Sequence, residues 1–176
     1  MSTPIKHIHG AQTTRLPIGP LSLRVLNSTA HHILLTCTLA PHSCGFPLLG
    51  NTKVSATFHL VRGSARFSTC SHNSLDAQVD EVDVAEGSTI SAPPHSFYGF
   101  GNPFEEEVEI FCVYSPGSWL GALEEWSAFA ASNPWTGEEG KEIMRKAGCI
   151  FPGDEPHPED DDDEELAFSP GLRCMA

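Results

Sequence analysis

Alternation of apolar and polar residues dominates the chain from about residue 21 to residue 114. Leu21, Leu23 and Val25 share one face of a short strand, and His31, Ile33, Leu35, Cys37 and Leu39 share one face of a longer one. Further strand-like runs cover Val54 to Val61, Ser64 to Thr69, Gln78 to Val84, Ser88 to Ala92, Phe97 to Phe100 and Glu107 to Tyr114. Turn signals separate them at Pro41 to Gly45, Leu49 to Thr52, Arg62 and Gly63, Glu86 and Gly87, and Gly101 to Pro103. About eight short strands with such spacing predict an antiparallel sandwich or barrel, a double-sheet jelly roll among the options. No alternation of strand and helix occurs, which disfavours a doubly wound nucleotide-binding fold.

The period changes after Pro116 and Gly117. Trp119, Leu120, Leu123, Trp126, Phe129 and Ala130 fall at helical spacing and predict an amphipathic helix lying on the barrel. Thr136, followed three residues later by Glu139, has the spacing of a capping box and announces a second helix running through Ile143 and Met144 towards Gly148. Prolines and the run Asp160 to Glu165 follow, a composition that builds no core, so the tail is expected to stay solvated and disordered. The expected organisation is an N-terminal arm over residues 1–18, a barrel over 19–115, a helical extension over 116–150 and an acidic tail over 151–176.

Composition narrows the function. At 176 residues the chain suits one domain with a core of ordinary size. No apolar run approaches the roughly 20 residues of a membrane span, and residues 1–20 hold no apolar core of a secretory signal, so a cytoplasmic protein is expected. The net charge is −13, but nine of the 23 acids lie between Asp154 and Glu165. Without them 14 acids face 10 bases, and no basic stripe for a phosphate backbone exists, which argues against nucleic acid as a partner. The six cysteines show no paired spacing and are expected to be reduced thiols, Cys37 and Cys112 as small core residues. Lys6, His7, Ile8 and His9 lie in the expected arm and are not assigned as metal ligands.

Between Gly87 and Asn102 the pattern becomes specific. Gly87, Pro93 and Asn102 fall in register with a glycine, five residues, a proline, any residue, a glycine, two residues, a histidine, three residues and an asparagine. This resembles the second motif of the cupin superfamily, with His95 in the glycine slot and Tyr98 in the histidine slot. Phe58 to Gly63 resembles the closing strand and turn of the first cupin motif. Counting back from Gly63 puts Ala56 in its glutamate slot and its two histidine slots within Leu49 to Thr52. Thr38 to Gly45 resembles the turn that leads into that motif. The resemblance covers roughly residues 34 to 114 and implies a mostly β protein: a single cupin-type double-stranded β-helix, or jelly roll, with C-terminal helices packed on it. In general build the chain resembles small stand-alone cupins of microbial and fungal natural-product pathways.

A cupin metal site needs three imidazoles and a carboxylate at about 2.0 to 2.2 Å from the ion. Ala56 and the Leu49 to Thr52 window supply none of these, so neither a metal nor another cofactor is expected. What the barrel keeps is a concave apolar pocket suited to a small organic ligand. Tyr98, pointing inward as the ligand it replaces does, would donate a hydrogen bond to a carbonyl or oxyanion, and His95 would move a proton. His42, Asn51, Phe58, Phe100 and Asn102 are the expected substrate contacts. The function these residues imply is metal-independent acid/base chemistry on an apolar, aromatic or polyketide-derived molecule, such as isomerisation, cyclisation, dehydration or decarboxylation. One alternative is a metal-dependent oxidoreductase of dioxygenase type with ligands from His32, His42 and His95; another is a non-catalytic binding module. The resemblance also implies a homodimer.

Overall fold

The computed structural model describes residues 13–70, 78–154 and 173–175. Their strands are β1 (Thr14–Ile18), β2 (Leu21–Ser28), β3 (Ile33–Leu39), β4 (Ser43–Asn51), β5 (Ser55–Arg62), β6 (Ser64–Cys70), β7 (Val79–Ala85), β8 (Thr89–Ala92), β9 (Phe97–Asn102), β10 (Val108–Ser115), β11 (Cys149–Ile150) and β12 (Arg173–Met175), and their helices are α1 (Trp119–Ala130) and α2 (Glu138–Lys146). Two antiparallel sheets form, one in the order β1-β2-β3-β10-β5-β8-β12 and one in the order β11-β4-β9-β6-β7. The jelly-roll architecture with C-terminal helices is the one the sequence pattern predicts. Among the described residues no helix is long and apolar enough to cross a membrane.

Period-two patterning explains which residues lie between the sheets. Ile33, Leu35, Cys37 and Leu39 on β3, Ala56, Phe58 and Leu60 on β5, and Val108, Ile110, Cys112 and Tyr114 on β10 are all buried in one apolar cluster. From the facing sheet, β9 contributes Tyr98 and Phe100, and β6 contributes Ala65 and Phe67. Helix α1 buries Trp119, Leu123 and Trp126, and its Ser127 Oγ donates to the Pro17 carbonyl of β1 at 2.9 Å. It therefore packs on β1, an edge of the larger sheet, and reaches β4 of the smaller through the contact of Trp126 with Phe46.

The structure departs from the sequence pattern in several places. The expected N-terminal arm contains β1, which pairs with β2 from Thr14 opposite Val25 to Ile18 opposite Leu21. Pro41 to Gly45 and Leu49 to Thr52, read as turns, hold the two ends of β4. That strand tolerates Gly45 and Pro47 because its ladder to β9 breaks register twice, and because β11 pairs with it only at Gly50 and Asn51, leaving Pro47 outside that ladder. Gly137, not Thr136, caps α2, and no side chain bonds the helix start. Phe151 is buried, and Arg173–Met175 pairs with β8, so the expected tail is not uniformly unstructured. The acidic run from Asp160 to Glu165 and the histidines of the first twelve residues lie outside the described residues.

Candidate functional site

Strand β9 sets the centre of the site. Tyr98, Phe100 and Asn102 point between the sheets, while Phe97, Gly99 and Gly101 point away. At Gly99 a Cβ would come within 2.8 Å of the Leu48 backbone nitrogen, so only glycine lets the bulged β4 lie this close. Leu49 stands opposite Tyr98 across β4 and β9, and Ala56 stands between Ala92 on β8 and Tyr114 on β10. The window Leu49 to Thr52, Ala56 and Tyr98, where the resemblance places the ligand slots, thus holds no imidazole and no carboxylate.

Aromatic rings fill this region. The Phe58 centroid lies 5.3 Å from that of Tyr98, 5.5 Å from that of Phe67, 5.5 Å from that of Phe100 and 5.9 Å from that of Tyr114. Phe46 stacks on Tyr98 at 5.9 Å and on Phe100 at 5.6 Å, and Trp126 meets Phe46 edge-on at 5.6 Å. Tyr114 continues the array to Trp119 at 6.5 Å. Such pairs add about 0.5–1.5 kcal/mol each beyond their area burial.

Within this apolar setting a few polar groups remain. Burial pushes the Tyr98 phenol well above its ordinary pKa of 10.0, with the Cys149 and Cys112 thiols nearby adding to the effect. Tyr114 is raised in the same way, by burial first and then by Tyr98 and the thiols of Cys112, Cys37 and Cys149. Both phenols are therefore neutral donors at physiological pH. Among the described residues, Trp119 Nε1 is the buried side-chain donor left without a hydrogen-bond partner. Cys149 is pushed up to about 12 by burial, against a weak opposing hydrogen bond from Asn51, and Cys37 and Cys112 are raised by burial too. These thiols stay protonated and are poor nucleophiles.

Of the residues expected from sequence, the structure brings together Tyr98, Phe58 and Phe100. It does not bring His95 or His42 to them. His95 is exposed on the turn before β9, its backbone N–H bonded to the Asn51 carbonyl at 2.8 Å, with φ of 65°. His42, also exposed, bonds the Pro103 carbonyl at 3.2 Å and the Glu105 carboxylate at 3.1 Å. Asn51 and Asn102 are buried, but their amides serve the backbone. Asn51 Oδ1 accepts from the N–H groups of Lys53 and Val54, and its Nδ2 donates to the Ala147 carbonyl and Cys149 Sγ. Asn102 Nδ2 donates to the carbonyls of Ala40 and Glu106, and its Oδ1 accepts from Phe104 N–H. Neither has an amide group held free for a ligand. Tyr114 and Trp119 are the additions the sequence reading did not make; the inward alternation of Val108, Ile110, Cys112 and Tyr114 carries the signal for the first.

A metal ion does not fit this site. Leu49 and Ala56 hold no ligating atom, Asn51 is committed to backbone, and the Tyr98 phenol is held in its protonated form. Among the described residues no three His, Cys, Asp or Glu side chains are placed to hold a metal, so His32, His42 and His95 do not form the alternative ligand set.

No family model and no curated protein matches the sequence. The fold is similar to solved structures. KdgF from Halomonas sp. matches with a TM-score of 0.52 at 10% identity, over 63% of this chain and 94% of that one. The polyketide cyclase RemF from Streptomyces resistomycificus matches at 0.52 and 14% identity, over 64% and 80%. An RmlC-like cupin from Shewanella frigidimarina matches at 0.50 and 18% identity, over 66% and 95%. These likenesses show the fold: a small cupin-type double-stranded β-helix.

Proposed function

We propose that this protein is a cupin-fold enzyme that takes an apolar, carbonyl-bearing molecule of aromatic or polyketide-derived type between its sheets. It promotes isomerisation or cyclisation of that molecule without a metal, with Tyr98 and Tyr114 donating hydrogen bonds to the carbonyl oxygen. One observation carries the reading. Two neutral phenols, those of Tyr98 and Tyr114, lie in an aromatic interior, and 6.5 Å from the Tyr114 ring stands Trp119, whose Nε1 is a buried donor with no hydrogen-bond partner among the described residues, where buried polar groups are normally paired. A ligand carbonyl would accept from such donors, which in a low-dielectric interior stabilise negative charge as it develops on oxygen. The fold likeness to a polyketide cyclase supports the choice of ligand class. His95, exposed on its turn, is not part of this machinery.

Dibenzoylmethane, an apolar aromatic 1,3-diketone whose enol absorbs in the near ultraviolet, tests the reading. The protein is expected to bind it and to accelerate its ketone–enol interconversion, the proton exchanging with water. Tyr98→Phe is expected to lower that acceleration about 10²-fold, the scale of losing one oxyanion donor. Absence of binding and acceleration would overturn the proposal, and an undiminished rate in Tyr98→Phe would remove Tyr98 from it.

A further inference from the structure

A cavity lies outside the sheets. It has a volume of about 200 Å³ and is bounded by Pro47 and Leu48 on the outer side of β4, by Trp126, Trp135 and Lys141 from the helical extension, and by Phe151. Its walls are held in place by contacts that a ligand need not break. Trp126 Nε1 donates to the Trp135 carbonyl at 3.0 Å, and the two indole rings lie 5.8 Å apart. Gly140 lets the Trp135 segment close over α2, because a Cβ there would meet the Trp135 carbonyl oxygen at 2.6 Å. The result is a preformed aromatic slot.

The polar groups at its rim define what fits. Lys141 is the one charged residue lining the cavity; its Nζ lies 5.7 Å from the Phe151 ring centroid and donates to Glu138 at 2.7 Å. An ammonium has three N–H donors, and Glu138 engages one of them. The Thr136 hydroxyl also lines the slot, and among the described residues it has no hydrogen-bond partner. Three aromatic walls suit a planar ring system, the volume admits one or two fused rings, and the cation at the edge suits an acid group in the ring plane.

We infer that this slot is a binding site for a planar aromatic carboxylate, separate from the space between the sheets. Its ligand packs against Trp126, Trp135 and Phe151 with its carboxylate on Lys141 and its edge at Thr136. Trp126 also packs edge-on against Phe46, the ring stacked on Tyr98, so the slot and the interior share one wall.

Titration of the full chain with 2-naphthoate and with its uncharged analogue 2-naphthamide, followed by tryptophan fluorescence and calorimetry, tests the site. Saturable binding of one naphthoate per chain is expected. Lys141→Met, at a partly exposed position, is expected to keep the thermal unfolding transition, to weaken naphthoate about tenfold and to leave naphthamide unchanged. Tyr98→Phe is expected to leave both unchanged. No saturable binding of either compound would overturn the inference, as would naphthoate binding insensitive to Lys141→Met. Weakening by Tyr98→Phe instead would place the compound between the sheets and overturn this site while leaving the interior one standing.

Discussion

His95 holds a backbone conformation that its side chain disfavours. Its φ of 65° lies in the left-handed region, at the position where the cupin pattern has glycine. An L-residue there is strained by about 1–2 kcal/mol, part of which the extra freedom of an unfolded glycine offsets. His95→Gly is therefore expected to raise stability by up to about 1 kcal/mol, read as a higher midpoint in thermal or urea unfolding. Because the imidazole is exposed and away from Tyr98, the same variant is expected to keep dibenzoylmethane turnover. A loss of turnover would return His95 to the proton-transfer role its sequence position suggests. Tyr98 presents the opposite case: its residue type replaces a ligand, yet its register on β9 is retained, and that register places a phenol among the rings.

At the level of elements, the end of the described helical extension is pinned by one charged cluster. Asp154 accepts from Arg145 at 3.0 and 3.1 Å and from the Phe151 N–H at 2.9 Å, while Arg145 stacks over the Phe151 ring. Partial burial works to raise the Asp154 carboxyl, but Arg145 and the Phe151 N–H together hold it below its ordinary value. A depressed carboxylate pKa means that the unfolded state binds the proton more readily. The stabilisation is present above the unfolded pKa and is lost as pH falls through the folded one. Asp154→Asn is accordingly expected to lower the melting temperature at neutral pH, with the gap from the parent closing in acid. Thermal unfolding over a pH series checks this, and a gap that persists in acid would contradict it. The same cluster holds Phe151 against the aromatic slot, so element stability and slot geometry are linked.

For the molecule as a whole, the aromatic array joins both sheets and α1 into one core. Phe58 touches four rings from β6, β9 and β10 and is fully buried. Phe58→Ala is expected to lower unfolding free energy by about 3–5 kcal/mol, measured by denaturant titration, because the surrounding rings cannot collapse into the space left. The fold class was legible because period-two alternation on strands such as β3 and β10 and helical spacing on α1 are local signals that burial obeys. The glycine, proline and asparagine spacing around β9 added the jelly-roll identity. Other features were not local. The ends of β4 carry turn residues, and only pairing with β9 and β11 makes them strand. His42, Asn51 and Asn102 are residue types that serve ligands and backbone equally well, and their actual partners come from Glu105, Ala147 and Ala40, distant in sequence. Tyr114 and Tyr98 meet around Phe58 only because the two sheets face each other, and the slot outside the sheets needs β4 and the segment beyond α2 to meet. The amino-acid sequence by itself thus determined the strand periodicity, the amphipathic helix and the absence of the cupin ligand set, since these depend on residue identity and near-neighbour spacing. Tertiary structure decided which polar groups are left unpaired and where cavities form, because both depend on contacts between segments many residues apart.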